Sequence, residues 1–313
     1  MKLLLATDGS TFSAAATQAV IADVKREGAE IRAIHVVDTR RVLLSKMNSL
    51  DAEVMNAPAQ RRSAEALVEA PAEQLRAEGF ETATAVVWGD PRSKIIEAAR
   101  EWRADLIVLG SQGRTGLTGF LMGSVSDAVA HHAPCSVEIV RVSRGEPMPR
   151  GLRILFAMDD SECSEAAAIA VIAQVKAEGA EVKLMRVLDS FPLAEAEKFA
   201  SHGYPMEEYP DFVRARAKLR DAAIGQLLKT TEKFQTHGFK VTQTLVEEGD
   251  ARNYIVECAE RWRADLIVVG SHERNGKQRL LMGSVSEAVS RYAACSVEIV
   301  RPSCNDGSPG LHR

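Results

Sequence analysis

Residues 89–113, GDPRSKIIEAAREWRADLIVLGSQG, return 160 positions later as residues 249–273, GDARNYIVECAERWRADLIVVGSHE, with 15 of the 25 positions identical. The same offset joins LMGSVS at 121–126 to 281–286 and CSVEIVR at 135–141 to 295–301. Upstream the offset is 151: EGAEIRAIHVVD (27–38) answers EGAEVKLMRVLD (178–189), so the second copy carries nine extra residues between Asp189 and Gly249. Each copy spans about 140–150 residues, long enough to bury its own core and far longer than a solenoid unit. The chain therefore reads as a duplicated domain. Domain 1 covers 1–142, the Pro- and Gly-bearing stretch SRGEPMPRG (143–151) is a linker, domain 2 covers 152–302, and the polar 303–313 is a flexible tail.

Within a copy, apolar runs alternate with helical periodicity. LLLAT (3–7) is continuous, as in a strand buried on both faces. Ser13–Glu27 reads as an Ala-rich helix ending at Gly28, and Glu30–Asp38 as a strand. A helix follows over about 59–78, with a kink or break expected at Pro71. Then come a strand at Thr82–Val87, a helix at Pro91–Trp102 with proline at its favoured start, a strand at Asp105–Leu109, a helix opening at Ser124, and a strand at Ser136–Val140. The order βαβαβαβαβ implies an α/β fold: two tandem doubly wound domains, each a parallel sheet with flanking helices.

Composition narrows the function. The chain is 46% hydrophobic and 26% charged, ordinary for a globular protein, with a net charge of −4. A phosphate-coated partner selects for a basic excess, which is absent, so no nucleic-acid role is expected. No apolar run reaches the roughly 18 residues of a membrane helix. Met1–Ser10 is too short an apolar stretch for a secretory signal, so a cytoplasmic location is expected. The five cysteines form no CxxC pair and read as inert thiols. His131-His132 and the arginines at 61–62, 214, 216 and 220 read as a helix end and as solvated faces. Trp102 and Trp262 read as core packing.

The chemistry sits where the DLIVLG strand ends. Gly110 and Gly113 are followed by Gly123-Ser124-Val125-Ser126, a G-x2-G-x9-G-S spacing at the carboxyl end of a parallel strand, where open α/β sheets bind ligands. Glycines let backbone N–H groups approach phosphate oxygens, and Gly123-Ser124 open a helix whose N-terminus attracts anions. The Ser124 and Ser126 hydroxyls add donors. Asp8, just past the first strand, is placed either to accept from a ribose hydroxyl or hold a metal, or merely to cap the following helix.

This combination, ATDGS (6–10), HVVD (35–38), the glycine spacing and the terminal SVEIVR strand, resembles the universal stress protein family over nearly the whole chain, in its tandem form. The resemblance implies a five-stranded sheet in each domain, ordered 3-2-1-4-5, and ATP binding where the glycine pattern is present. It would place Ala6, Asp8 and Val36 around adenine and ribose. Leu109, Gly110 and Gly113 would line the ribose and phosphate side, and Gly123, Ser124, Val125 and Ser126 would hold the phosphates, with Mg2+ a further candidate ligand. It also implies pairing through the last strands, 136–140 with 296–300 within the chain, and leaves a homodimer open.

In domain 2 the weaker counterpart is Asp159, Val187, Gly270, Gly283, Ser284, Val285 and Ser286. Glu273 stands where Gly113 stands, and Asp160 replaces Gly9. A carboxylate inside the cradle would cost a triphosphate ~1–4 kcal/mol, set against three cations in the neighbouring loop (Arg274, Lys277, Arg279), and the balance favours a degenerate site. The expectation is an ATP-binding regulatory protein acting through nucleotide-dependent conformation or partner binding. The alternatives are a slow ATPase or autophosphorylating protein, and a scaffold that binds no nucleotide. No general base or P-loop lysine is in evidence, so weak hydrolysis at most is expected.

Overall fold

The computed structural model describes residues 1–39, 58–113, 122–142, 151–188, 210–271 and 282–301. The linker at 143–150, the loops 115–120 and 275–280, Glu273, Cys304 and the tail lie outside these. The first repeat runs β1 (Lys2–Ala6), α1 (Thr11–Asp23), β2 (Glu30–Asp38), α2 (Pro58–Ala77), β3 (Glu81–Gly89), α3 (Pro91–Trp102), β4 (Leu106–Gly110), α4 (Ser124–His132) and β5 (Ser136–Val140). The second runs β6 (Arg153–Met158), α5 (Glu162–Gln174), β7 (Glu181–Leu188), α6 (Pro210–Thr236), β8 (Lys240–Glu248), α7 (Ala251–Trp262), β9 (Leu266–Gly270), α8 (Ser284–Tyr292) and β10 (Ser296–Val300).

The strands form one ten-stranded sheet, β3-β2-β1-β4-β5-β10-β9-β6-β7-β8, so each repeat shows the 3-2-1-4-5 order. Pairing inside each repeat is parallel. Among the named strands only β5 and β10 meet antiparallel, with Val297 opposite Ile139, Glu298 opposite Glu138 and Ile299 opposite Val137. A residue thus faces its own equivalent at Glu138/Glu298, which places a pseudo-twofold axis there. Of the nine extra residues in the second repeat, one is visible as a bulge in β8, where Val182 pairs with Val241 but Lys183 with Gln243.

Two sequence expectations change. The first helix ends at Asp23 rather than Glu27 because Val24 leaves it to form an antiparallel bridge with Val175 of the other repeat. The Lys25 and Lys176 N–H groups donate to the Gln174 and Asp23 carbonyls at 2.7 and 2.8 Å. The long helix also runs unbroken through Pro71, because Val68, Pro71, Ala72 and Leu75 are all buried and that packing outweighs the lost hydrogen bond.

The core is continuous across the axis on one face only. Val137, Ile139, Val297 and Ile299 join a single cluster that includes Leu4, Ile107, Ile255 and Ile267. On the other face two separate cores flank the junction, and buried polar groups lie between them. Glu298 accepts a hydrogen bond from Gln174 Nε2, and Asp23 occupies the equivalent of Gln174 on α1. Burial, then the charges of Glu298 and Asp23, push Glu138 well above the usual carboxylate range. Burial lifts Glu298 to about 7 and, with help from Asp265, Asp23 to about 6.

These shifts fix a sign. At low pH the carboxyls are protonated in folded and unfolded chains alike and contribute nothing to the pH dependence. As pH rises past 4.5 the unfolded chain releases the Glu298 proton while the folded chain keeps it until about 7, so stability is lost across that window. The effect is on the order of 3 kcal/mol for Glu298. A Glu298→Gln chain keeps an acceptor for Gln174 and should melt several degrees above wild type at pH 8, with the gap closing at pH 4. Thermal melts across that range check it, and a gap independent of pH would refute it.

Candidate functional site

The carboxyl ends of β1 and β4 lie side by side, with Ala6 opposite Leu109. The backbone of Thr7 bonds to β2 through the Ile34 carbonyl, and the His35 ring bonds the Thr7 carbonyl at 2.8 Å. The chain then turns at Gly9, whose φ of +75° suits glycine. Ser10, not Asp8, caps α1, accepting from the Ser13 N–H. Asp8 instead orders the turn, its Oδ1 accepting from the Ser10 N–H at 3.0 Å, and its other carboxylate oxygen points toward Gly113: a Cβ built on Gly113 would lie 2.8 Å from Oδ2. Residues 105 positions apart in sequence therefore meet at one point of the sheet edge.

The β4–α4 connection is tightly folded. A Cβ on Gly110 would sit 2.6 Å from the Phe12 backbone, and one on Gly123 would sit 3.2 Å from the Ser111 carbonyl. The Gly123 N–H donates to Ser111 O at 2.7 Å, and Ser126 Oγ donates to Gly110 O at 2.7 Å. The Ser126 hydroxyl proton is thus engaged in holding α4 to β4, which leaves the hydroxyl of exposed Ser124 as the side-chain donor at the helix start. No side chain caps α4, so its first N–H groups face outward with the positive end of the helix dipole. Beneath this edge, Ala6 and Leu109 are buried, and Val36, Met122 and Val125 pack partly buried onto the same cluster, an apolar floor. Met122 was not singled out in the sequence; its place directly before Gly123 is the signal for it. A separate cavity of about 300 Å³, lined by His35, Val37, Gln60 and Leu67 among others, opens toward α2 and includes none of the expected ligand residues.

The second repeat rebuilds the same frame with different chemistry. Gly283 N–H donates to Ser271 O at 2.8 Å, Ser286 Oγ to Gly270 O, and α8 likewise has no side-chain cap. Val187 holds the place of Val36 and packs on the continuous core. Where Thr7 engages Ser13 in the first repeat, Met158 cannot, and Ser164 Oγ turns to Asp159 Oδ1 at 2.6 Å. That oxygen also accepts from the Ser161 N–H and hydroxyl. Arg186, replacing His35, is buried and ion-paired at 3.6 Å with Asp160, which replaces Gly9.

Among the described residues no cluster of His, Cys, Asp and Glu is arranged to hold a metal, and no helix is long and apolar enough to cross a membrane. The described cysteines form no disulfide, and burial lifts Cys135 and Cys295 to about 12, which keeps them as thiols. Trp102 and Trp262 are half-buried and pack against the continuous core, as expected, each with cations over its ring, Arg32 at 4.5 Å and Lys183 at 4.8 Å.

A doubly wound fold, repeated, with this sheet-edge geometry defines a class, and sequence comparison identifies it. The family model "Universal stress protein family" matches residues 1–141 and again 152–301. The chain belongs to the universal stress protein family as a tandem member. A universal stress protein of Mycobacterium tuberculosis is 27% identical over 219 residues, covering 70% of this chain and 68% of that one. One from Methanocaldococcus jannaschii is 35% identical over 151 residues, 46% of this chain and 84% of its own. A solved universal stress protein from Archaeoglobus fulgidus shares the fold over 97% of both chains, with a TM-score of 0.61 at 20% identity.

The tight packing around the first glycine generates a stability test. Gly110→Ala should destabilise the chain by about 1–3 kcal/mol, because the new methyl meets backbone that cannot swing aside. Gly270→Ala, whose Cβ would lie 3.2 Å from the Cys163 side chain, should cost less. Denaturant titrations of the two variants decide it; equal losses would contradict the packing.

Proposed function

We propose that the first repeat binds ATP at the edge formed by Asp8, Gly110, Gly113 and the start of α4, and that the protein is an ATP-binding regulatory protein working through nucleotide-dependent conformation or partner binding. The observation that carries the reading is the meeting of Asp8 and Gly113 beside an uncapped helix N-terminus. The apolar floor of Ala6, Val36 and Leu109 suits a base, the Asp8 carboxylate suits a ribose hydroxyl, and the first N–H groups of α4 suit phosphate oxygens. Ser124 adds a hydroxyl donor, and Val125 and Ser126 contribute backbone N–H groups. Mg2+ would enter with the phosphates, with Asp8 as the nearest carboxylate of the set. The set holds no P-loop lysine, and its one carboxylate, Asp8, is given to the ribose, so turnover is expected to be slow or absent.

The second pocket is read as degenerate. Asp159 already accepts three local donors on one oxygen, and Arg186 with Asp160 introduces a charge pair where the first repeat has histidine and glycine. Glu273 adds a carboxylate at the position of Gly113. The domain limits follow the repeat, 1–142 and 152–302.

Calorimetric titration of nucleotide-free protein should give one ATP per chain. Gly113→Glu, which copies the residue of the second repeat, should weaken that binding by roughly tenfold or more, equivalent to ~1.4 kcal/mol or above. Unchanged affinity in the variant would remove the phosphate-site assignment. A stoichiometry of two, reduced to one by Asp159→Ala, would show the second pocket to be competent. Steady-state phosphate release that dies with Asp8→Ala would favour the slow ATPase.

A further inference from the structure

Arg301 directly follows β10 in the second repeat, yet among the described residues its hydrogen-bond partners are in the first. It is 9% exposed, and its guanidinium donates to Cys135 O at 3.2 Å and to Ala130 O, while its backbone N–H donates to Ser136 Oγ at 3.1 Å. Ala130 lies in the last turn of α4, where carbonyls have no partner within the helix. Ala133 N–H takes Val129 O, and Arg301 takes the next carbonyl. A cation at that end also complements the negative pole of the helix dipole.

The helix so held is the one whose other end forms the cradle. With nine residues, α4 is a rod of about 13 Å. Its first turn is tied to β4 through Ser126 and Gly123, and its last turn is tied to the other repeat through Arg301. Among the described residues, the ion pairs between α4 and α8 are Arg291–Asp127 at 3.5 Å and the His131–Glu287 approach at 4.0 Å, partly exposed and therefore weak. The arrangement is reciprocal: Arg141, directly after β5, donates to Cys295 O at 3.1 Å and to Ser290 O in the last turn of α8.

We propose that Arg301 is a positioning residue for the nucleotide site of the first repeat, so that this site is completed by the second repeat even though the second pocket is altered. The inference rests on the nucleotide reading above. Loss of the guanidinium frees the C-terminal end of α4, and the donors at its N-terminal end lose their fixed aim at the phosphates.

The pseudo-symmetry supplies its own control. In the full chain, Arg301→Gln should weaken ATP binding by roughly tenfold, the order of one charged hydrogen bond, and speed amide exchange in peptides spanning 122–133. Arg141→Gln breaks the equivalent bonds and should cost similar thermal stability, but speed exchange across 282–293 and leave ATP affinity within about twofold. Arg301→Lys, which retains the charge with a single point of donation, should fall between wild type and Arg301→Gln, and it stands in if the glutamine chain does not fold. If wild type binds ATP and the Arg301 variants bind it as tightly, or if Arg141→Gln weakens it equally, the positioning role is overturned while the nucleotide reading survives. If wild type binds no ATP, the nucleotide reading fails first and the positioning role with it.

Discussion

The antiparallel junction of β5 with β10 is the constraint on which the rest of the structure depends. Each repeat, taken alone, ends its parallel sheet in a short strand with one unpaired edge, and such an edge is a liability unless it is covered. Here each edge covers the other, and the strand sequence SVEIV is the same in both. An antiparallel pair of identical strands forces equivalents to face each other near the axis. In this register Glu138 meets its own copy, Glu298, while the apolar neighbours cross over, Val137 opposite Ile299 and Ile139 opposite Val297.

The same symmetry explains why the junction is bound by cations reaching across it. The last carbonyls of a helix need external donors. Lys25 Nζ donates to Ile172 O at the end of α5, and Lys176 Nζ to Ile21 O and Ala22 O near the end of α1. Arg141 and Arg301 do the same for α8 and α4. Four helix ends are thus capped from the opposite repeat, on both faces of the sheet. The two facing glutamates, Glu298 buried and Glu138 partly so, work in the other direction: they interrupt the apolar contact on the α1/α5 face and make the strength of that contact a function of protonation.

Much of the fold was legible because the elements are local and strongly patterned. β2 at Glu30–Asp38, α3 at Pro91–Trp102 and β5 at Ser136–Val140 lie where turn residues and continuous apolar runs put them. What could not be read was set by the axis. Val-Glu-Ile in isolation reads as a strand with one wet face, and only the pairing of the two copies sets the glutamates against each other and buries Glu298. Lys25 and Val24 read as helix because their partners, Ile172 and Val175, belong to the other repeat. In the site, the glycine spacing was legible, but the engagement of Ser126 with the Gly110 carbonyl was not, since a hydroxyl near a helix start looks the same in sequence whether it faces a ligand or its own strand.

The second repeat shows how such an edge changes without unfolding. Gly9 turns with a positive φ; among the described residues, the only non-glycine positions at positive φ are Arg103 and Arg263, so Asp160 makes its turn differently. Its carboxylate would be costly beside the strand ends were it not matched by Arg186, itself buried and therefore in need of an anion. Met158 removes the hydroxyl that engages Ser13 in the first repeat, and Ser164 is redirected to Asp159. Of these substitutions, Arg186 and Asp160 compensate each other as a pair, and the loss of the Thr7 hydroxyl at Met158 is answered by Ser164 turning to Asp159. None of them touches β10, Arg301 or the Ser286–Gly270 bond that holds α8. In the second repeat the junction and the altered sheet edge therefore rest on separate residues.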